Sequence, residues 1–74
     1  MTITDAEKAK AENNFSYHAP KGNQAERYEN LRYGAKYLAL NILNKCPDSR
    51  ERSLALTKLE EAVMWANASI ARNE

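Results

Sequence analysis

Residues 38–59 read LALNILNKCPDSRERSLALTKL, and the CPDS at positions 46–49 decides how the chain folds. Pro47 biases Cys46 away from helical dihedrals, so a helix arriving from the N-terminal side stops there. Asp48 stands three residues before Glu51, a capping-box spacing that starts a new helix at once. Upstream, Tyr28, Leu31, Ala35, Leu38, Ile42 and Cys46 step by three or four residues, which is one face of a helix over 23–45, opened by the Asn23/Glu26 pair. Downstream, Leu56, Leu59, Val63, Ala66 and Ile70 form the seam of a second helix over 49–72. Two helices, each roughly 35 Å long at 1.5 Å per residue and joined by a tight turn at 46–48, run antiparallel. The fold class is therefore all-α, a helical hairpin over 14–74.

Residues 1–13 form an N-terminal arm or short helix. Thr4 and Glu7 have capping-box spacing and alanine, glutamate and lysine are dense, but an apolar stripe is lacking, so both a helix and a frayed arm fit. NFSYHAPKG at 14–22 has no period and contains Pro20 and Gly22, which reads as an ordered loop.

The two long helices carry more apolar surface than a hairpin hides. Tyr33, Tyr37 and Leu40 lie opposite the first seam, and Leu54 and Trp65 lie away from the second. The spare stripes call for a homo-oligomer, which also supplies stability that a core this small lacks. Gly34, inside the first helix, marks a helix crossing point or, alternatively, a ligand-facing groove.

Several function classes are excluded by composition. Eleven Lys and Arg against ten Asp and Glu leave a net charge of +1, which gives no field for nonspecific binding of duplex nucleic acid. No apolar run is long enough for a membrane span. One cysteine, Cys46, and no apolar leader in Met1–Ala11 point to a reducing cytoplasm. There is one histidine, no HExxH, GxSxG or P-loop pattern, and no paired Cys or His at ligand spacing, so no catalytic residue, metal or cofactor is expected. Glu60 and Glu61 point about 100° apart on a helix and form no carboxylate dyad.

Binding is what remains. FSYHAPKG at 15–22 offers Phe15 and Tyr17 as rings that stack on a base, His18 as donor or acceptor, and Lys21 for a phosphate. The competing reading is that Phe15 and Tyr17 pin the loop to the hairpin while His18 caps a carbonyl.

Three stretches then carry a resemblance: FSYHAP at 15–20, QAERYENLRYGAKYLA at 24–39, and CPDSRERSLALTKLEEAVMWANASIARN at 46–73. Together they resemble the helical-hairpin family of phage proteins that block the CBASS and Thoeris defences by sequestering nucleotide signals. The LTKLEEAVMWANASIAR segment at 56–72 is the most specific part, and residues 1–13 lie outside the likeness. The resemblance implies a homo-oligomer, typically a hexamer, that holds cyclic dinucleotides of the cyclic GMP-AMP type between protomers without cleaving them. Some members also hold cyclic trinucleotides such as cyclic triadenylate where three protomers meet. The chain is too short for the additional β-rich part of the Thoeris-directed relatives, which favours the CBASS-directed type.

Carried onto this sequence, the stacking tyrosine is Tyr17 in the YHAP motif, with Phe15, His18 and Pro20 around it. Arg32 and Lys36 are both candidates for the phosphate-binding residue, and Asn67 and Arg72 for a trinucleotide pocket. The implied setting is the cytoplasm of an infected bacterial host. The alternative function is an oligomeric helical module that binds another protein and no nucleotide.

Overall fold

The computed structural model describes residues 2–74; Met1, the first residue of the expected arm, lies outside the described residues. The described residues form three helices and no strand: α1 (Asp5–Asn14), α2 (Gln24–Lys45) and α3 (Arg50–Asn73). The antiparallel hairpin expected from the sequence is α2 packed on α3.

Of the two readings of the arm, the helix is realised. At its start Glu7 N–H donates to the Thr4 hydroxyl (3.0 Å), and Thr4 N–H donates to the Glu7 carboxylate (2.9 Å). That backbone bond, reinforced by the hydroxyl, holds the Glu7 carboxyl below its ordinary range.

The other two expected capping pairs are corrected. Asn23 makes no side-chain cap on α2; its amide oxygen accepts from Arg27 Nε at 3.1 Å. The chain enters α2 through Gly22, whose φ of 55° suits glycine, and through Gln24. Gln24 N–H donates to the Lys21 carbonyl (3.0 Å), and its side-chain oxygen accepts from Lys21 N–H (3.1 Å). At α3 the cap is Ser49 rather than Asp48, because the chain needs one more residue after Pro47 to turn. The Ser49 hydroxyl accepts from Arg52 N–H at 3.1 Å.

Arg52 then closes the hairpin from the α3 side. Its guanidinium donates to the carbonyls of Leu43 and Cys46, both at 3.3 Å, and to the Asp48 carboxylate at 3.2 Å. Two carbonyls at the end of α2 thereby find a donor.

At the open end, Glu74 is gripped by the Arg27 guanidinium, with one bond at 2.7 Å, and by the Gln24 amide at 3.2 Å. Hydrogen bonding to Arg27 and then Gln24 lowers the Glu74 carboxyl to about 2. Gln24 is the one buried residue of the described chain.

Among the described residues no apolar side chain is buried. Along α3 the expected seam of Leu56, Leu59, Val63, Ala66 and Ile70 is half-buried throughout. On α2 the contact line runs through Tyr28, Ala35, Ala39 and Ile42, while Leu31, Leu38 and Cys46 are left exposed, because one neighbouring helix covers only a narrow strip. The crossing point expected at Gly34 is absent from the single chain: a Cβ built there meets nothing within 4 Å. Gly34 instead floors an open apolar groove of about 340 Å³ with Leu31, Leu38, Ala62 and Ala66.

The molecule measures 50 × 36 × 13 Å, one helix thick, with a radius of gyration of 16.6 Å against about 11 Å for a compact chain of this length. Its surface of 6182 Å² compares with roughly 4,600 Å² for a folded monomer of its mass. The spare stripes are open, with Tyr33, Tyr37 and Trp65 each more than half exposed.

Candidate functional site

At the open end of the hairpin, three pieces of chain distant in sequence meet. Phe15 N–H donates to the Ala11 carbonyl at 3.0 Å and closes α1, and the Ser16 hydroxyl donates to the Glu12 carbonyl. The Asn13 amide donates to the Arg72 carbonyl at 2.9 Å, and the Arg72 guanidinium makes a long 3.5 Å contact with the Asn14 carbonyl. His18 Nε2 lies 2.8 Å from the Asn13 carbonyl. A carbonyl only accepts, so Nε2 carries a proton, and of the two neutral tautomers this contact selects the one with Nδ1 as an acceptor.

These contacts wall an open concavity of about 420 Å³, within the range of small-molecule sites. The loop supplies Tyr17 and His18. Tyr28 and Arg32, one turn apart, come from α2, and Asn67, Ala68, Ala71 and Arg72 from the last turns of α3, where the two alanines leave room between the longer side chains.

Two guanidiniums and two phenol rings line the hollow, and no carboxylate does so among the described residues. Glu29 pairs with Arg32 at 2.8 Å on the exposed outer side, where solvent weakens the attraction. Arg72 sits 5.9 Å from the centre of the Trp65 ring, a cation–π distance that steadies the guanidinium without using its N–H groups. The Asn67 side-chain oxygen is buried and has no hydrogen-bond partner. Such a set suits an anion with flat rings: guanidiniums for phosphate, phenols for bases.

Of the residues singled out from sequence, Tyr17, His18, Arg32, Asn67 and Arg72 line this concavity. Phe15, 90% exposed, and Pro20 stand on the same loop outside it. Lys36 lies on the opening of a second groove of about 510 Å³, with Leu43, Leu56, Glu60 and Met64; Arg32 borders both. The reading in which Phe15 and Tyr17 pin the loop is overturned, since Tyr17 is 86% exposed. His18 does cap a carbonyl, that of Asn13.

Sequence reasoning missed Tyr28 as a lining residue. Its four-residue spacing from Arg32 places both on one helical face and was the available signal. Nothing in the sequence marked Asn13 or Asn14. Cys46 lies at the far end of α2, and among the described residues no three His, Cys, Asp or Glu side chains cluster to hold a metal. No described helix is long and apolar enough to cross a membrane.

The family model described as Acb2/Tad1, hairpin domain, matches residues 7–71. It takes in all of α2, nearly all of α3, and α1 from Glu7 onward, so the likeness reaches into the 1–13 segment expected to lie outside it. No curated protein and no solved structure matches the chain.

Proposed function

The chain belongs to the Acb2/Tad1 hairpin family, phage anti-CBASS and anti-Thoeris proteins that bind cyclic nucleotide signals, and on that premise we propose that it captures such a signal intact. In this reading it acts as a sponge in the cytoplasm of the infected bacterium. It takes cyclic dinucleotides of the cyclic GMP-AMP type and, at a second class of pocket, cyclic trinucleotides. Defence effectors then meet too little ligand to fire.

The observation that carries this reading is the convergence of Tyr17, Arg32 and Arg72, residues far apart in sequence, on one open hollow. Arg32 and Arg72 neutralise phosphates, with Arg32 favoured over Lys36 because it faces the hollow. Tyr17, almost fully exposed, stacks on a base; such stacking is worth about 1–3 kcal/mol per base. Phe15 and Pro20, also exposed, extend the lid toward a ligand portion or a neighbouring protomer.

The hollow is open, and a second copy of the chain completes the enclosure. The surplus surface and the uncovered groove at Gly34 support assembly, as a hexamer in the family pattern. Sequestration needs no chemistry at the ligand, so the site holds a charge and stacks rings without a nucleophile.

Titration calorimetry against a panel of cyclic di- and trinucleotides tests the proposal, with Tyr17→Ala as the critical variant. Wild type releases heat with at least one of them, and Tyr17→Ala weakens that binding by roughly tenfold or more, the equivalent of one lost stack. No heat with any of the panel would remove nucleotide capture. It would favour instead a helical module whose open Trp65 and Tyr33 stripes hold another protein.

A further inference from the structure

Helix α1 has no visible means of support from packing. It buries no residue, has almost no apolar stripe and is only ten residues long, short of what a helix needs to persist alone in water. It is nevertheless tied to α3 at its C-terminal end, and the shorter of the two bonds that do so comes from its own side chain. The Asn13 amide reaches across 59 residues of sequence to the carbonyl of Arg72, 2.9 Å away. The atom facing that carbonyl is the amide nitrogen, because two oxygens would repel.

The last carbonyls of α1 need donors from outside the helix, and α1 has no basic residue in its own last turn. His18 serves the Asn13 carbonyl at 2.8 Å and Arg72 the Asn14 carbonyl at 3.5 Å. Both donors also line the concavity, whereas Asn13 does not.

We propose that Asn13 is a positioning residue for the nucleotide site: by joining α1 to α3 it presents the two backbone carbonyls that orient His18 and Arg72 toward the ligand. The inference rests on the reading of the concavity as that site. The Asn13 carbonyl fixes the His18 tautomer, leaving Nδ1 as an acceptor for a ligand amine or hydroxyl. The Asn14 carbonyl takes one N–H of Arg72 and leaves the others for phosphate. Docking of α1 and binding of ligand are then linked, and linkage is reciprocal: what loosens α1 weakens the ligand, and ligand in place protects α1.

Two variants that leave the concavity's own side chains in place test this. Asn13→Asp keeps the shape and removes the donor. Thr4→Ala removes the cap at the other end of α1, about 15 Å away, so any effect it has on ligand must travel through the helix. Calorimetry with the tightest cyclic dinucleotide of the panel is expected to show roughly fivefold weaker binding for Asn13→Asp, the value of one hydrogen bond, and a smaller loss for Thr4→Ala. In a His18→Ala background the Asn13→Asp loss shrinks to the part carried through Arg72, a non-additivity that a merely structural role does not produce.

Nitrogen NMR shifts of the His18 ring give a readout that needs no ligand. Wild type shows the Nε2–H tautomer, and Asn13→Asp shows a mixture. Wild-type affinity and wild-type ring shifts in both variants would overturn the proposal. If wild type binds no cyclic nucleotide, the reading of the site fails, and the ring shifts alone decide whether Asn13 orders His18.

Discussion

Dilution is the most telling perturbation of this chain. It exposes 6182 Å² where a compact monomer of its mass exposes roughly 4,600 Å², and no apolar side chain is buried among the described residues, so in the proposed assembly its stability comes from copies covering one another. When an oligomer unfolds to separate chains, each tenfold dilution lowers the free energy per chain by RT ln 10 scaled by (1 − 1/n). That is about 0.7 kcal/mol for a dimer and about 1.1 kcal/mol for a hexamer. For a domain of this size 1 kcal/mol moves the melting temperature by about 4–8 °C, so a hundredfold dilution is expected to lower it by roughly 10 °C. Circular dichroism at a series of concentrations reads this directly, with sedimentation equilibrium for the mass. Leu38→Glu sharpens the test. Leu38 borders the Gly34 groove and is half exposed, so in a lone chain the change is worth only about 0.5 kcal/mol. Under a second copy it leaves a buried charge unpaired, and the expected product is a dissociated, low-melting species. A melting temperature constant over the hundredfold range, with the mass of one chain, would refute the reasoning.

Three further outcomes are expected. Arg52→Ala, which strips donors from the Leu43 and Cys46 carbonyls, is expected to cost about 2 kcal/mol and lower the melting temperature by roughly 10 °C. Asp48→Ala removes only a carboxylate that is 91% exposed and is expected to cost less than about 0.5 kcal/mol; equal losses on thermal denaturation would refute the carbonyl-capping role. Glu74→Gln tests the clamp at the open end by its pH dependence. The Glu74 carboxyl is lowered from 4.5 to about 2 in the folded chain, so its stabilisation is present above pH 4.5 and is lost as pH falls toward 2. Melting curves of the two proteins are expected to differ above pH 4.5 and to converge near pH 2; a constant difference would show that the pair contributes through shape alone. Both partners are more than a third exposed, so added salt is expected to shrink the difference as well.

The hairpin was legible because it is written in local rules. The three-and-four spacing from Tyr28 to Ile42 and from Leu56 to Ile70, with Pro47 between, leaves little freedom. The capping residues were less legible: Asn23 and Asp48 have the right spacing, but the turn geometry hands the roles to Gln24 and Ser49, which depends on where the chain has to go next. The loop rings were open to two readings, stacking on a ligand or pinning the loop, because aromatics most often pack inward. Here the loop faces small residues, Ala68 and Ala71, across the hollow, and Tyr17 stays exposed. Asn13 and Arg72 meet through a backbone carbonyl, and a contact to backbone carries no side-chain signature in sequence. Tyr28 shows the opposite case, since its seam position was correctly read and its second role, at the edge of the hollow, followed from being one turn before Arg32.

The central claim is capture without cleavage, and the fate of the ligand tests it most directly. The protein is saturated with the cyclic dinucleotide that binds best, freed of excess by gel filtration, held at 37 °C for several hours, then heat-denatured, and the released nucleotide is identified by chromatography and mass. The account predicts recovery of the intact cyclic molecule, stoichiometric with the sites. Recovery of a linear or mononucleotide product would contradict it and make the concavity a site of reaction.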